Sequence, residues 1–413
     1  MPSRHDYISN LPESIIETIL IKLPLRDAVR TSILSSKWRY KWATLTHLEF
    51  NDQCVSGTRD RPLAKFISRA LLLHNGPINR FVLSTSYLQI TPDVDQWLLF
   101  LSRKDVKELA LLHLGGKWFR APSFLFSCQK LIRLELLRWS FYPPLSFKGF
   151  PFLKHLIFLQ VSISRVALQN LISSCPLLES LELLYDALKL TIRAPNLKFL
   201  YLEGDHFEDV CLEYTPKLVA MNVSIYSTYG KDEHFGQIST SNFDKFLGGV
   251  PSLERLIGHC YFTKVRCNTF GKKEIKYQQL KVIELSGVSF DTMKEIMVVL
   301  RLILNAPNLL ELQIEGSSGL SSATEAPDLG FWEKECLFDC TFERLKMVKM
   351  TNMVGVPHEV GFIGFLLGKS PVLETISITP SVHILTKDRL SFVIELTKLR
   401  RTSPEAEMIF VQN

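Results

Sequence analysis

Several features that mark particular classes of protein are missing from this sequence of 413 residues. Its eight cysteines include no Cys-x-x-Cys pair and no regular spacing, which argues against a disulfide scaffold and against a zinc site. No apolar run approaches the length of a membrane span, and the start, MPSRHDYISN, lacks the apolar segment of a signal peptide. These absences predict a reduced, intracellular protein that holds no metal and contacts no membrane.

The sequence also has little excess of positive over negative charge. The 48 lysines and arginines exceed the 42 acidic residues by only six, and the basic doublets are isolated, so no nucleic-acid partner is expected. His358-Glu359 lacks the second histidine of a zinc protease, and no glycine-rich phosphate loop or nucleophile constellation is present. We therefore expect no catalytic residue, no cofactor and no enzymatic activity of the chain itself.

A block of the form apolar-x-x-apolar-x-apolar recurs along the chain, often behind a proline. The clearest copies are CPLLESLELL (175–184), APNLKFLYLEG (194–204), APNLLELQIEG (306–316) and SPVLETISITP (371–380). Successive blocks from residue 106 onward lie 19 to 36 residues apart, which scatters around the period of leucine-rich repeats. The last two apolar residues of each block are two positions apart, so on a strand they point into one core shared with the next repeat.

Helical segments separate these blocks. In SRVALQNLISSC (164–175), helical spacing is expected to place Val166, Leu168, Leu171 and Ile172 on one side. The repeated strand, turn and helix resemble a plant-type leucine-rich-repeat solenoid over about residues 75–355, an α/β fold with a parallel strand ladder and helices outside it. A doubly wound sheet is the alternative for alternating strands and helices, but it would need a phosphate loop after a strand.

The N-terminal region, residues 8–42, is densely apolar at helical spacing. PESIIETILIKL is expected to form a helix from Pro12 to the residues before Pro24, and a second helix should run from Leu25 to about Ser32. A third should start at Ser35 as N-cap and carry Trp38 and Trp42 on one side. So small a core needs a partner, which is either the first repeat of this chain, with the helices as its cap, or another protein.

Two resemblances bear on that choice. LPESIIETILIKLPLRDAVRTSILSSKWRYKW resembles an F-box through Leu11-Pro12, Leu23-Pro24 and the ending Lys37-Trp38-Arg39, and the match covers residues 6–46. HEVGFIGFLLGKSPVLETISITP and LSFVIELTKLRRTSPEAEMIFVQN resemble the FBD domain, over residues 356–413. The order of F-box, repeats and FBD is similar to that of the plant F-box/FBD/LRR family and accounts for nearly the whole chain.

The resemblance implies a substrate receptor of an SCF-type ubiquitin ligase, located in the nucleus and/or the cytoplasm. Its F-box would bind a Skp-type linker and, through the linker, a cullin-RING scaffold, while the repeats bind a protein substrate that the sequence does not identify. The alternative is a leucine-rich-repeat module that binds a protein or a small molecule outside any ligase. The residues that the resemblance assigns to linker binding are Leu11, Pro12, Ile15, Ile19, Leu20, Leu23, Pro24, Val29, Leu34 and Trp38, the last bracing the helices.

Substrate binding is expected on the solvent side of the strand ladder, at positions that alternate with the buried leucines. These positions are Arg133, Glu135, His155, Ile157, Ser180, Glu182, Phe199, Tyr201, Glu284, Gln313 and Glu315. Exposed aromatic side chains are costly without a partner, so Phe199 and Tyr201 beside Ile157 are predicted to form the contact patch.

Overall fold

A computed structural model describes most of the chain in two compact units. The described residues are 11–55, 60–86, 92–185, 189–204, 209–225, 250–259, 276–291, 293–317, 332, 341–383 and 386–411. The first unit comprises residues 1–185 with 192–197, and the second comprises 186–191 with 198–413. The cysteine pair with the closest spacing, Cys336 and Cys340, lies outside the described residues.

Six strands of the first unit pair side by side in a parallel ladder. They are β1 (His47–Asn51), β2 (Arg80–Thr85), β3 (Glu108–His113), β5 (Arg133–Leu137), β7 (His155–Leu159) and β8 (Ser180–Tyr185), while β4 (Phe119–Arg120) and β6 (Trp139–Ser140) form a separate short pair. The register places equivalent residues of successive repeats opposite each other, so Leu134 is paired with Leu109 and Leu156. These inward side chains are fully buried, which stabilises each repeat by about 1.5–3 kcal/mol per leucine.

Helices connect several of these strands. The first unit contains α1 (Glu13–Lys22), α2 (Leu25–Arg30), α3 (Asp60–Leu73), α4 (Pro92–Arg103) and α5 (Arg165–Ser173). The hydroxyl of Ser164 caps α5 by accepting a hydrogen bond from the Ala167 N–H at 3.2 Å. Leu168, Leu171 and Ile172 are buried, but Val166 is exposed, contrary to the prediction, because at 100° per residue it falls on the opposite side of the helix.

The described residues of the second unit include eight strands that pair side by side in parallel. They are β10 (Phe199–Gly204), β12 (Ala220–Ile225), β13 (Arg255–His259), β14 (Val282–Val288), β15 (Glu311–Gly316), β16 (Met347–Met353), β17 (Thr375–Pro380) and β18 (Glu407–Phe410), with β9 (Lys189–Arg193) and β11 (Asp209–Tyr214) outside the ladder. Its helices are α6 (Met293–Leu304), α7 (Pro357–Lys369) and α8 (Thr386–Thr397). The predicted α/β class and repeat ladder are confirmed, although β1, β17 and β18 lie outside the range 75–355 that the repeats indicated.

Helix α7 carries an unusual buried carboxylate. Glu359 is 3% exposed and accepts hydrogen bonds from the backbone N–H groups of Val354 at 2.9 Å and Gly355 at 2.5 Å. Burial raises the pKa of Glu359 to about 7, although those hydrogen bonds lower it. The side chain therefore fixes the turn between β16 and α7, and it belongs to no group of three metal-ligating side chains among the described residues.

The same helix has a glycine where a neighbouring tryptophan approaches its backbone. The Trp332 Nε1 lies 3.3 Å from the His358 Nδ1, and a Cβ at Gly361 would lie 2.5 Å from that same indole nitrogen. No larger side chain fits at this position unless the indole moves. Farther along the helix, a Cβ at Gly368 would meet no atom within 4 Å.

Candidate protein-docking surface

The N-terminal helices have a small core of their own. Each begins behind a proline whose carbonyl accepts a helical hydrogen bond, at 3.1 Å from the Ile16 N–H to Pro12 and at 3.0 Å from the Ala28 N–H to Pro24. The apolar side chains that fill this core are Ile16, Leu20, Leu25, Ala28, Trp38 and Trp42, each no more than 5% exposed. The two Leu-Pro pairs thus set where the helices begin, as the sequence predicted.

The predicted third helix is wrong. Residues 36–40 form turns, and Lys41–Thr44 form a short 3-10 helix. The Ser35 hydroxyl is buried and has no hydrogen-bond partner among the described residues, so it does not cap a helix, and the Ser35 carbonyl instead accepts the Trp38 N–H at 3.2 Å. Trp38 and Trp42 still reach the same small core, because burial of the indoles decides the path of this segment more than helix propensity does.

One side of this helical segment is bound to the first repeat. The Ala43 carbonyl accepts the Asn75 N–H at 2.9 Å, and the His74 Nε2 lies 2.8 Å from the Leu45 carbonyl oxygen. A Cβ at Gly76 would lie 2.9 Å from the Thr44 Cα, so only glycine permits this approach. The helices therefore do cap the start of the ladder, which was one of the two possibilities that the sequence left open.

The opposite side of α1 remains exposed and apolar. Ile15 is 45% exposed and Ile19 is 37% exposed, and helical spacing places Pro12 and Leu23 on the same face. Ile21 is 54% exposed but lies roughly 200° around the helix from Ile19. A row of exposed isoleucines beside a completed core is the kind of surface that another protein covers.

Two residues of the predicted linker-binding set are buried in the core of the helical segment. Leu20 is 0% exposed, so it cannot contact another protein in this arrangement, whereas Trp38 is 2% exposed and has the bracing position that the resemblance implied for it. Of the others, Pro12, Ile15, Ile19, Pro24 and Leu34 are exposed, whereas Leu11, Leu23 and Val29 are half-buried. Sequence reasoning missed the exposed Ile33 and Tyr40, which follow α2 and would have required the structure of this irregular segment to find.

Charges lie at both ends of α1. The Lys41 ammonium forms an ion pair with Glu13, and this hydrogen bond with the positive charge beside it lowers the pKa of the Glu13 carboxyl. The carboxylate also sits in the first helical turn, where it interacts favourably with the helix dipole. The ion pair joins α1 to the 3-10 helix at Lys41–Thr44, and at the other end of the helix the exposed Lys22 lies seven residues after Ile15, on the isoleucine face.

The predicted substrate patch needs a correction. Ile157 on β7 of the first unit is 4% exposed, because its neighbours in the ladder, Glu135 and Glu182, flank it on both sides. Phe199 and Tyr201 on β10 of the second unit are both half-buried, and the Tyr201 hydroxyl donates a hydrogen bond to the Glu203 carboxylate. Ile157 is therefore not an exposed contact residue, while substrate contact by the two aromatic residues stays a prediction.

The described part of the chain shows neither a reactive thiol at Cys128 or Cys175 nor a metal-ligating cluster. Burial raises the pKa of the Cys128 thiol to about 12 and that of Cys175 to about 11, so both thiols remain protonated at neutral pH. No cluster of three His, Cys, Asp or Glu side chains able to hold a metal occurs among the described residues. None of the described helices is long and apolar enough to cross a membrane.

Comparison with known proteins identifies the parts of the chain. The F-box domain model matches residues 8–50, and a model of the leucine-rich repeats of FBD-associated F-box protein At5g56370 matches residues 94–314, just over half of the chain. Among solved structures, an internalin from Listeria monocytogenes aligns over 96% of this chain and 97% of its own, at 12% identity and a TM-score of 0.30.

Two relatives from Arabidopsis thaliana match from end to end. F-box/FBD/LRR-repeat protein At1g13570 is 48% identical over 417 residues and covers 99% of both chains. F-box/FBD/LRR-repeat protein At5g56420 is 26% identical over 435 residues and covers 99% of this chain and 100% of its own. The F-box thus precedes the repeats, as the resemblances predicted, and the chain belongs to the F-box/FBD/LRR-repeat protein family.

Proposed function

We propose that this protein is the substrate receptor of an SCF-type ubiquitin ligase. The observation that carries the proposal is the exposed apolar face of α1, formed by Pro12, Ile15, Ile19 and Leu23, on an F-box whose core is already complete. F-box domains bind Skp1-type linkers generally, and this face is the surface that such a linker would cover. The linker would in turn connect the receptor to a cullin-RING scaffold.

The association is of the helix-in-groove type. Anchors at Ile15 and Ile19 lie one helical turn apart, so both enter one groove of the linker when α1 lies along it. Pro24, Leu34 and the half-buried Leu11 and Val29 complete the proposed contact surface around them. A few such anchors, each contributing about 1–3 kcal/mol on truncation, are enough for stable binding.

The receptor contributes no acid, base or nucleophile to ubiquitin transfer. Its role is to hold a lysine of the substrate near the ubiquitin-conjugating enzyme, so that an intermolecular reaction gains the advantage of proximity. The repeats would bind the substrate while the F-box is occupied by the linker. A location in the nucleus or the cytosol, where such ligases work, is part of the same proposal.

Reconstitution with purified components tests this function. The full chain should copurify with a recombinant Skp-type linker and, when cullin and RING subunits are added, should enter the same complex on gel filtration. Leu11→Ala/Pro12→Ala should weaken that capture. A chain that binds a protein or small-molecule partner but never the linker would instead be a repeat module that works outside a ligase.

A further inference from the structure

The solvent face of the first ladder has an apolar row that its fold does not require. Leu112, Leu137, Leu159 and Leu184 are paired in register on β3, β5, β7 and β8, and all four are partly exposed. At about 4.8 Å between strands, the four leucines form a stripe about 14 Å long that crosses the ladder. We call this set the leucine row.

The second unit shows that such a row is not needed to build a ladder. At the equivalent strand position, its residues are Glu203, Ser224, His259, Ser286, Glu315 and Thr351. A solvated sheet face normally has polar residues of this kind. The leucine row of the first unit is therefore a local specialisation, and a partly exposed apolar stripe of this length indicates a binding surface.

A carboxylate without an ion pair lies beside the leucine row. Two positions earlier on the same strands are Ala110, Glu135, Ile157 and Glu182, a second row about 6.6 Å from the first. Glu135 pairs with Arg133 at 3.3 Å, but no ion pair or hydrogen bond within the described residues engages the Glu182 carboxylate. Burial raises the pKa of Glu182, since the attraction of Arg133 does not compensate fully for lost solvent and Glu135 adds repulsion.

These two features complement one kind of ligand. The leucine row offers apolar contact over several side chains, and the half-buried Glu182 beside it would be stabilised by a cation that arrives with the ligand. The surface is an open stripe and not an enclosed cavity, which suits a protein segment better than a small molecule. An acidic ligand would be repelled by Glu182, whose charge has no ion-pair partner among the described residues.

We propose that the leucine row and Glu182 bind an apolar segment of the protein substrate whose lysine or arginine pairs with the Glu182 carboxylate. This inference rests on the proposed function, because it assigns the substrate-binding role of the repeats to a defined surface. It places that surface on β3 to β8 of the first unit, without the aromatic residues of β10.

Peptide selection on the full chain tests the proposal. A random 12-residue peptide library displayed on phage should yield sequences in which lysine or arginine lies next to aliphatic residues. For a selected peptide, replacing its basic residue with glutamine should weaken binding on the order of tenfold in fluorescence anisotropy. The Glu182→Gln variant should show a loss of similar size with the original peptide and no further loss with the glutamine version.

Charge reversal gives a readout that misfolding cannot imitate. Glu182→Lys should shift the selected peptides from basic to acidic residues, while the matched variant Glu315→Lys in the polar row of the second unit leaves the selection unchanged. Leu137→Ser/Leu159→Ser should remove the aliphatic preference. The proposal is overturned if no peptide is enriched, if the enriched peptides lack basic residues, or if Glu182→Lys leaves their charge unchanged.

The two proposals fail separately. Because the selection uses the chain without the linker, a protein that enriches basic apolar peptides but does not capture the linker refutes only the ligase role. A protein that captures the linker but selects other peptides refutes only the surface proposed here.

Discussion

Truncation of two isoleucines on α1 is expected to weaken linker binding without unfolding the F-box. In the variant Ile15→Ala/Ile19→Ala, both side chains lose the atoms that project from the exposed face, and neither residue belongs to the core of the segment. Alanine also has a higher helix propensity than isoleucine, so α1 itself should persist. The change therefore separates docking from folding.

The size of the loss follows from the exposed fractions. Ile15 is 45% exposed and Ile19 is 37% exposed, so a linker that covers both removes from water slightly less than one whole isoleucine. Burying one isoleucine side chain is worth about 1.5–3 kcal/mol, and the two truncations together should cost about 2 kcal/mol of binding free energy. That cost corresponds to about a thirtyfold increase in Kd.

Isothermal titration calorimetry of the full chain with a purified Skp-type linker measures this change. Ile21→Ala is the matched control, because Ile21 is the same residue type on the same helix and is 54% exposed on the opposite side. It should change Kd by less than about twofold. Equal losses in the control and the double variant, or unchanged binding of the double variant, would refute the assignment of this face.

Two further predictions concern stability, and a third concerns the packing of an indole. Leu20→Ala should destabilise the F-box by about 2–5 kcal/mol, because Leu20 is fully buried, and a calorimetric melt with an unchanged transition would contradict its core position. Gly361→Ala should displace the Trp332 indole and change tryptophan fluorescence, since the new Cβ would lie 2.5 Å from the indole nitrogen. The control is Gly368→Ala on the same helix, whose new Cβ would meet no neighbouring atom within 4 Å, so it should leave the emission unchanged. Glu359 has a folded-state pKa of about 7, above its unfolded value of 4.5, so the stability that it contributes is complete below pH 4.5 and declines as pH rises through 7. Urea unfolding between those values should show a decline of up to about 3 kcal/mol that Glu359→Gln abolishes, and an unchanged slope in that variant would contradict the assignment.

Much of the architecture could be predicted from local patterns. The spacing of two apolar residues behind each proline predicts a strand with one buried face, and the strands that contain Leu134, Leu181, Leu200 and Leu312 occur where the blocks placed them. The two Leu-Pro pairs likewise predicted where α1 and α2 begin. Such signals are local, because the conformational restriction of proline and the alternation of a strand act over a few residues.

The candidate site was less predictable from the sequence. The sequence pattern of a short amphipathic helix does not distinguish an apolar residue that faces the protein's own core from one that faces a partner. Leu20 and Ile19, which are adjacent in the sequence, therefore could not be told apart by pattern. Ile157 lies at a solvent-side strand position but is buried by flanking glutamates on neighbouring strands. Both outcomes depend on residues that are distant in the chain and adjacent only after folding.

By itself, then, the sequence determined the α/β class, the repeat ladder and the F-box in the N-terminal region, because the spacing of apolar residues and the positions of the prolines suffice for these. Tertiary structure decided which face of α1 is free, since Ile16 and Leu20 on its other side are buried in the core of the helical segment. It also decided that Leu112, Leu137, Leu159 and Leu184 form one row, because register across four strands is a property of pairing between repeats and not of any single block.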